Sequence, residues 1–267
     1  MKKTHLIILS LFLTSAIIIT ATVITYKALT VPKSKKYVVE TIEANSKGYI
    51  KVGIISDAQL PQEEKNLYGW DYATVMNGAD HLIKALKYYK SQNVDMIVFN
   101  GDMVNATGDY AAYSAYNKIL DYVYGEDRAE APHIIYPMGN HVFYGGNQEH
   151  NFYKSTGLPL NTRTIVNGYS FISISNSKLE KGDEELAESN DTLADGTYNE
   201  KRIEFLKEQL AAANTEDPNK PIFVFIHMPI SNIVNGGHWA TPQYEEIYSI
   251  LKEYPQAVVF TGHSHYC

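Results

Sequence analysis

Five short stretches of this 267-residue chain carry residues that bind metal ions or move protons. They are Ser56-Asp57-Ala58-Gln59, Asn100-Gly101-Asp102, Gly139-Asn140-His141, His227 alone, and Gly262-His263-Ser264-His265. Each has a plain reading when taken singly. An Asp after a strand is commonly a cap or turn residue. A Gly-Asn-His is commonly a turn, and a lone His at a strand end is commonly a satisfied surface or core group. Together and in this order, carboxylate, amide and imidazole groups are what a two-metal hydrolytic site needs. Mn, Fe, Zn, Co and Ni all suit such mixed oxygen and nitrogen ligands, and the sequence does not choose among them. The one cysteine, Cys267, excludes an intramolecular disulfide framework and a Cys-rich zinc module. No His-Glu-x-x-His is present, which argues against a zinc peptidase.

Elements that could deliver these residues lie just before them. Six β-rich runs are Lys51–Ser56, Val94–Asn100, His133–Met138, Ser170–Ser175, Ile222–His227 and Ala257–Gly262. Most are nearly continuous in Val, Ile and Phe, the pattern of strands buried on both faces. Helical periodicity covers Ala73–Ser91, Tyr110–Tyr124, Asn199–Ala213 and Thr241–Tyr254. Alternating strands and helices predict an α/β domain. Ligands in open α/β sheets bind outside the carboxyl ends of strands, so five strand ends are expected on one rim. The acidic stretch 176–198 lacks hydrophobic periodicity and is expected to be a solvated surface loop.

Charge divides the chain. Residues 1–36 hold six of the 23 basic side chains and no acid, leaving 17 against all 30 acids, a balance of −13 for the body. A body that acidic is a poor non-specific partner for nucleic acid, and phosphate would be attracted by bound cations. Leu6 to Ile24 is apolar and uncharged. As a helix it would span about 28 Å, close to a bilayer core. Residues 1–26 are therefore expected to be an N-terminal signal anchor or a cleaved signal peptide. Residues 27–48 read as a basic tether and 49–267 as the body. The expected location is the cell membrane with the body extracytoplasmic, or secretion after cleavage.

From about Lys51 to His265 the chain resembles the calcineurin-like metallophosphoesterase superfamily. Its pattern runs Asp-x-His, Gly-Asp, Gly-Asn-His, a strand-borne His and Gly-His-x-His, and the last four stand intact here. The resemblance implies two packed mixed β-sheets flanked by helices. It implies that Asp57 and His265 hold one metal, that Asp102 bridges both, and that Asn140, His227 and His263 hold the second. His141 would face the leaving-group oxygen. A water shared between the two divalent ions would lose its proton and attack phosphorus in line. The substrate would be a phosphomonoester or phosphodiester.

Three departures qualify the likeness. Gln59 stands where the family most often has His; it is taken as a metal ligand, weaker than imidazole. Met103-Val104-Asn105 replaces the Asp-containing continuation of phosphoprotein phosphatases, which leaves the Asn105 carbonyl as the candidate acceptor for the His141 ring. The chain stops two residues after His265, where the family continues, so the domain at 49–267 is expected to be incomplete at its C-terminus. Gln59 and the short end also motivate an alternative: a degenerate, non-catalytic binding or scaffold module. His150, His238 and Trp239 fall in stretches read as loops over the rim.

Overall fold

The computed structural model describes residues 37–45, 48–60, 72–105, 110–143, 148–177, 197–230, 241 and 243–265. The strands are β1 (Tyr37–Ile42), β2 (Val52–Ile55), β3 (Met96–Phe99), β4 (His133–Ile135), β5 (Asn161–Val166), β6 (Tyr169–Ile174), β7 (Ile222–Ile226) and β8 (Ala257–Phe260). The helices are α1 (Tyr72–Ser91), α2 (Tyr110–Tyr124), α3 (Gln148–Thr156), α4 (Glu200–Glu216) and α5 (Tyr244–Leu251).

Two sheets result. One has the order β2-β3-β4, and the other β1-β5-β6-β7-β8. The three-stranded sheet is parallel throughout. The five-stranded sheet is mixed, because β5 and β6 pair antiparallel while the other pairs are parallel. The expected α/β fold with two packed sheets and flanking helices is therefore found, with mixed pairing in one sheet among the described residues.

Side-chain alternation builds the layers. On β3, Ile97 and Phe99 join the core under α1, α2 and α3, with Leu82, Leu86, Tyr116 and Phe152. Met96 and Val98 point the other way and meet Val166, Phe171 and Phe225 between the sheets. The outer face of the five-stranded sheet buries Ile172, Ile174, Val224 and Ile226 against Ile203, Leu206 and Leu210 of α4 and Ile247 of α5. Helix α4 begins where the Asn199 side chain accepts the Arg202 N–H, at 3.2 Å. It ends at Asp217, extended at φ −159° because Pro218 follows.

Three elements depart from the sequence expectation. Residues 37–42, placed in the tether, form β1, paired with β5. Strand β5 itself is unexpected, because its side chains are polar yet buried. Thr162 Oγ1 lies 2.9 Å from Ser173 Oγ, and Arg163 Nε donates to Ser170 Oγ at 3.0 Å. Helix α3 occupies the stretch read as a loop around His150. The acidic stretch has buried ends, since Ser177 bridges Thr197, while 178–196 lies outside the described residues. The anchor, His238 and Trp239 also lie outside them. Among the described residues, no helix is long and apolar enough to cross a membrane.

Candidate metal centre

The parallel strands bring their carboxyl ends together. β2 runs into Ser56-Asp57, β3 into Asn100-Gly101-Asp102, β7 into His227 and β8 towards Gly262-His263. The chain after β4 reaches Gly139-Asn140-His141.

Asp102 is fully buried at the centre. Its Oδ1 accepts the His141 backbone N–H at 2.9 Å, and its Oδ2 lies 2.8 Å from His227 Nε2. Ligand atoms of Asp102, His227 and His263 all lie within 4.8 Å of one another. His227 Nδ1 lies 2.8 Å from the Asn100 carbonyl oxygen. A carbonyl can only accept, so Nδ1 carries the proton and Nε2 is left facing Asp102, the orientation a metal-binding imidazole needs.

Asp57 takes the other side. Its Oδ2 accepts the His263 backbone N–H at 2.9 Å and lies against the Ser56 hydroxyl. Its Oδ1 stands 3.3 Å from His265 Nε2 and 3.8 Å from His227 Nε2, yet forms no well-aligned hydrogen bond among the described residues. The Gln59 amide nitrogen lies 3.3 Å from His141 Nε2 and 3.2 Å from His265 Nε2. His141 Nδ1 lies 2.9 Å from Asn105 Oδ1.

Backbone strain collects here. Eight non-glycine residues among those described have positive φ, and five of them are Asp57, Gln59, Asp102, His263 and His265. Such conformations disfavour L side chains, and their clustering marks a site held by its surroundings. Gly101 at φ +89° would drive a Cβ into the His227 ring. A Cβ on Gly139 would meet Asp102 Oδ1.

Electrostatics follow from this crowding. Burial acts to raise the Asp57 carboxyl, but the His227 charge, the nearby His265 ring and hydrogen bonds from Ser56 and the His263 N–H hold it down at about 2. Burial acts to raise Asp102 too, but the His227 charge and hydrogen bond, with the His141 ring, together hold it lowered. Burial works against a charged His227, yet Asp102 and Asp57 raise it to about 9. Burial, with the His227 charge, lowers His263 to about 4 and keeps it neutral. His265 is raised by its contact with Asp57.

This donor set fits divalent cations. Buried Asp102 and partly buried Asp57 share a compensating proton on His227, a place a metal ion can take. Asp57 Oδ1 and Asn140 Oδ1 are buried acceptors without a hydrogen bond among the described residues. Unsatisfied buried oxygens of this kind ask for a partner. All eight residues singled out in the sequence lie at this rim, linked by the contacts above or, for Asn140, by adjacency to His141 and Gly139. Sequence reasoning assigned no role to Ser56 or Asn100, which brace Asp57 and His227. Their position beside Gly-Asp and Asp-x-Gln was the available signal.

Comparison with known proteins identifies a family and a shared fold. A family model described as calcineurin-like phosphoesterase matches residues 50–267. Among curated proteins, no sequence matches. Of solved structures, a dimetal phosphatase from Danio rerio superposes with a TM-score of 0.62 at 18% identity, covering 81% of this chain and 82% of that one. TT1561 of Thermus thermophilus gives a TM-score of 0.48 at 14% identity, covering 80% and 81%.

Proposed function

The chain belongs to the calcineurin-like phosphoesterase family, and on that ground we propose that it hydrolyses phosphomonoesters or phosphodiesters with two divalent metal ions. The observation that carries this reading is the meeting of Asp102, His227 and His263 within 4.8 Å, beside Asp57. Asp57, Gln59 and His265 are the proposed ligands of one ion and Asn140, His227 and His263 those of the other, with Asp102 shared. Bound there, the ions supply a water acidic enough to be a nucleophile near neutral pH, and positive charge against the phosphoryl oxygens.

The chain's own groups do the rest. Asn105 accepts the Nδ1 proton of His141 and fixes the tautomer, so Nε2 faces the site. As the imidazolium, with its Nδ1–H held by Asn105, His141 would give its Nε2 proton to the departing oxygen and revert to the neutral Nδ1–H ring. The His141 backbone N–H, by holding Asp102 Oδ1, keeps that residue in register with the ligands. Asn100 supplies the carbonyl that holds the His227 ring.

We further propose that the N-terminal apolar segment exports the domain and tethers it to the cell membrane, or is cleaved to release it. The support is the uncharged run from Leu6 to Ile24 behind Lys2 and Lys3. The proposed partner is a phosphoester, not nucleic acid, since the body carries a balance of −13.

The test is a panel of aryl phosphate monoesters and diesters offered to protein stripped with chelator and reloaded with Mn, Fe, Zn, Co or Ni. Turnover that vanishes on stripping and returns on loading, with two ions per chain, is expected. Two ions bound without turnover of any ester would favour the binding or scaffold module.

A further inference from the structure

Asn100 directly follows β3, is 1% exposed, and touches the ends of three other strands. Its backbone N–H donates to Ile55 O of β2 at 2.7 Å. Its carbonyl oxygen receives the His227 Nδ1 proton and lies 2.9 Å from the Ser56 hydroxyl. Its side-chain nitrogen donates to Ile226 O of β7 at 3.4 Å and to Phe260 O of β8 at 3.2 Å. Both partners are carbonyls, so the amide can face them only with its NH₂.

These bonds cross between the sheets. Asn100 belongs to the three-stranded sheet, which ends in Asp57, Asp102 and Asn140. Ile226 and Phe260 belong to the five-stranded sheet, and they immediately precede His227 and Thr261-Gly262-His263. The amide therefore pins the two strand ends that carry the histidines to the strand end that carries the aspartate. It does so while its own Oδ1 stays buried without a hydrogen bond among the described residues, at a free-energy cost. The two donors must outweigh that cost for the arrangement to persist.

We infer that Asn100 is a positioning residue of the metal centre, a clasp that sets the distance between ligands contributed by different sheets. The inference rests on the ligand assignment proposed above. A metal ion needs its ligands within a few tenths of an ångström, and supporting groups of this kind alter metal affinity about 10–100-fold. Without the clasp, each sheet keeps its own ligands, but the ion must draw the sheets together itself.

The test compares full-chain wild type with Asn100→Ala, Asn100→Ser and, as a control, Thr162→Val. Thr162 is buried, and its hydroxyl bonds to Ser173 within the five-stranded sheet, not to a proposed ligand. Mn²⁺ and Co²⁺ binding is followed by calorimetry and by the Co²⁺ visible spectrum, and Tm is measured in chelator. Asn100→Ala is expected to weaken binding at least tenfold and alter the Co²⁺ spectrum. Asn100→Ser keeps one donor and is expected to lose about threefold. Thr162→Val is expected to lower Tm in chelator while binding stays within twofold of wild type. Should Asn100→Ala fail to fold, Asn100→Ser decides the matter. Unchanged binding in the folded Asn100 variants, or equal weakening in Thr162→Val, overturns the clasp. Wild type that binds two ions but cleaves no ester sinks the hydrolytic reading and leaves the clasp standing.

Discussion

His141 Nδ1 lies 2.9 Å from Asn105 Oδ1, a histidine oriented by a neutral amide instead of a carboxylate. The pair sets both the tautomer and the aim of Nε2. His141→Asn is expected to lower kcat at least about 100-fold, the usual worth of a positioned acid. Metal content by elemental analysis should stay at wild-type level. Asn105→Ala is expected to cost about tenfold in kcat with metal content likewise retained.

Protonation and metal binding should compete at His227. Its folded value of about 9 exceeds the ordinary 6.5, so in chelator it adds stability that is full below pH 6.5 and lost as pH rises through 9. Asp57 is depressed from 3.8 to about 2, so its contribution is present above pH 3.8 and lost as pH falls through 2. His263, depressed from 6.5 to about 4, acts the other way: its contribution is present above pH 6.5 and lost as pH falls through 4. Tm in chelator is therefore expected to peak near pH 6.5 and to decline on both sides. Calorimetry at pH 7.5 in buffers of different ionisation enthalpy should show a proton released as metal binds.

Gly101→Ala combines a left-handed backbone with a Cβ in the His227 ring. The expected cost is about 1–3 kcal/mol of stability. A lower Tm in chelator and a fall in bound metal would be seen together, because the displaced group is the proposed ligand itself.

Gln59 offers a graded test of the first metal position. Asp57→Ala should abolish binding there. Gln59→Ala should weaken it about tenfold, and Gln59→His should tighten it, since imidazole is the stronger ligand. Competition with a metal indicator dye measures all three.

Much of this was legible in the sequence, for a physical reason. Strands buried on both faces, such as Met96–Phe99 and Ile222–Ile226, must be apolar along their length, and the first polar residues after them mark the rim. β5 escaped because Asn161, Thr162, Arg163 and Thr164 are buried by pairing polar atoms with neighbours, which leaves no hydrophobic signature. β1 escaped because a strand at the sheet edge alternates exposure and sits beside a basic stretch. At the site, the groups read as ligands or as the proton donor were visible as residue types. Asn100 was not, because an amide after a strand looks like any turn residue, and its two donors reach carbonyls 126 and 160 positions away.

The division of the proposed ligands between the two sheets would have a consequence for biosynthesis. Through residue 140 the growing polypeptide offers only the carboxylates and amides of the proposed set, oxygen donors with little preference among divalent ions. His227, His263 and His265 are made last, and with them comes the affinity for borderline metals. Were these residues to hold ions as proposed, the set would be complete only once residue 265 has been made, and the ion taken would come from the pool around the chain when β8 docks. Identical polypeptides finishing in different ion pools would carry different metals.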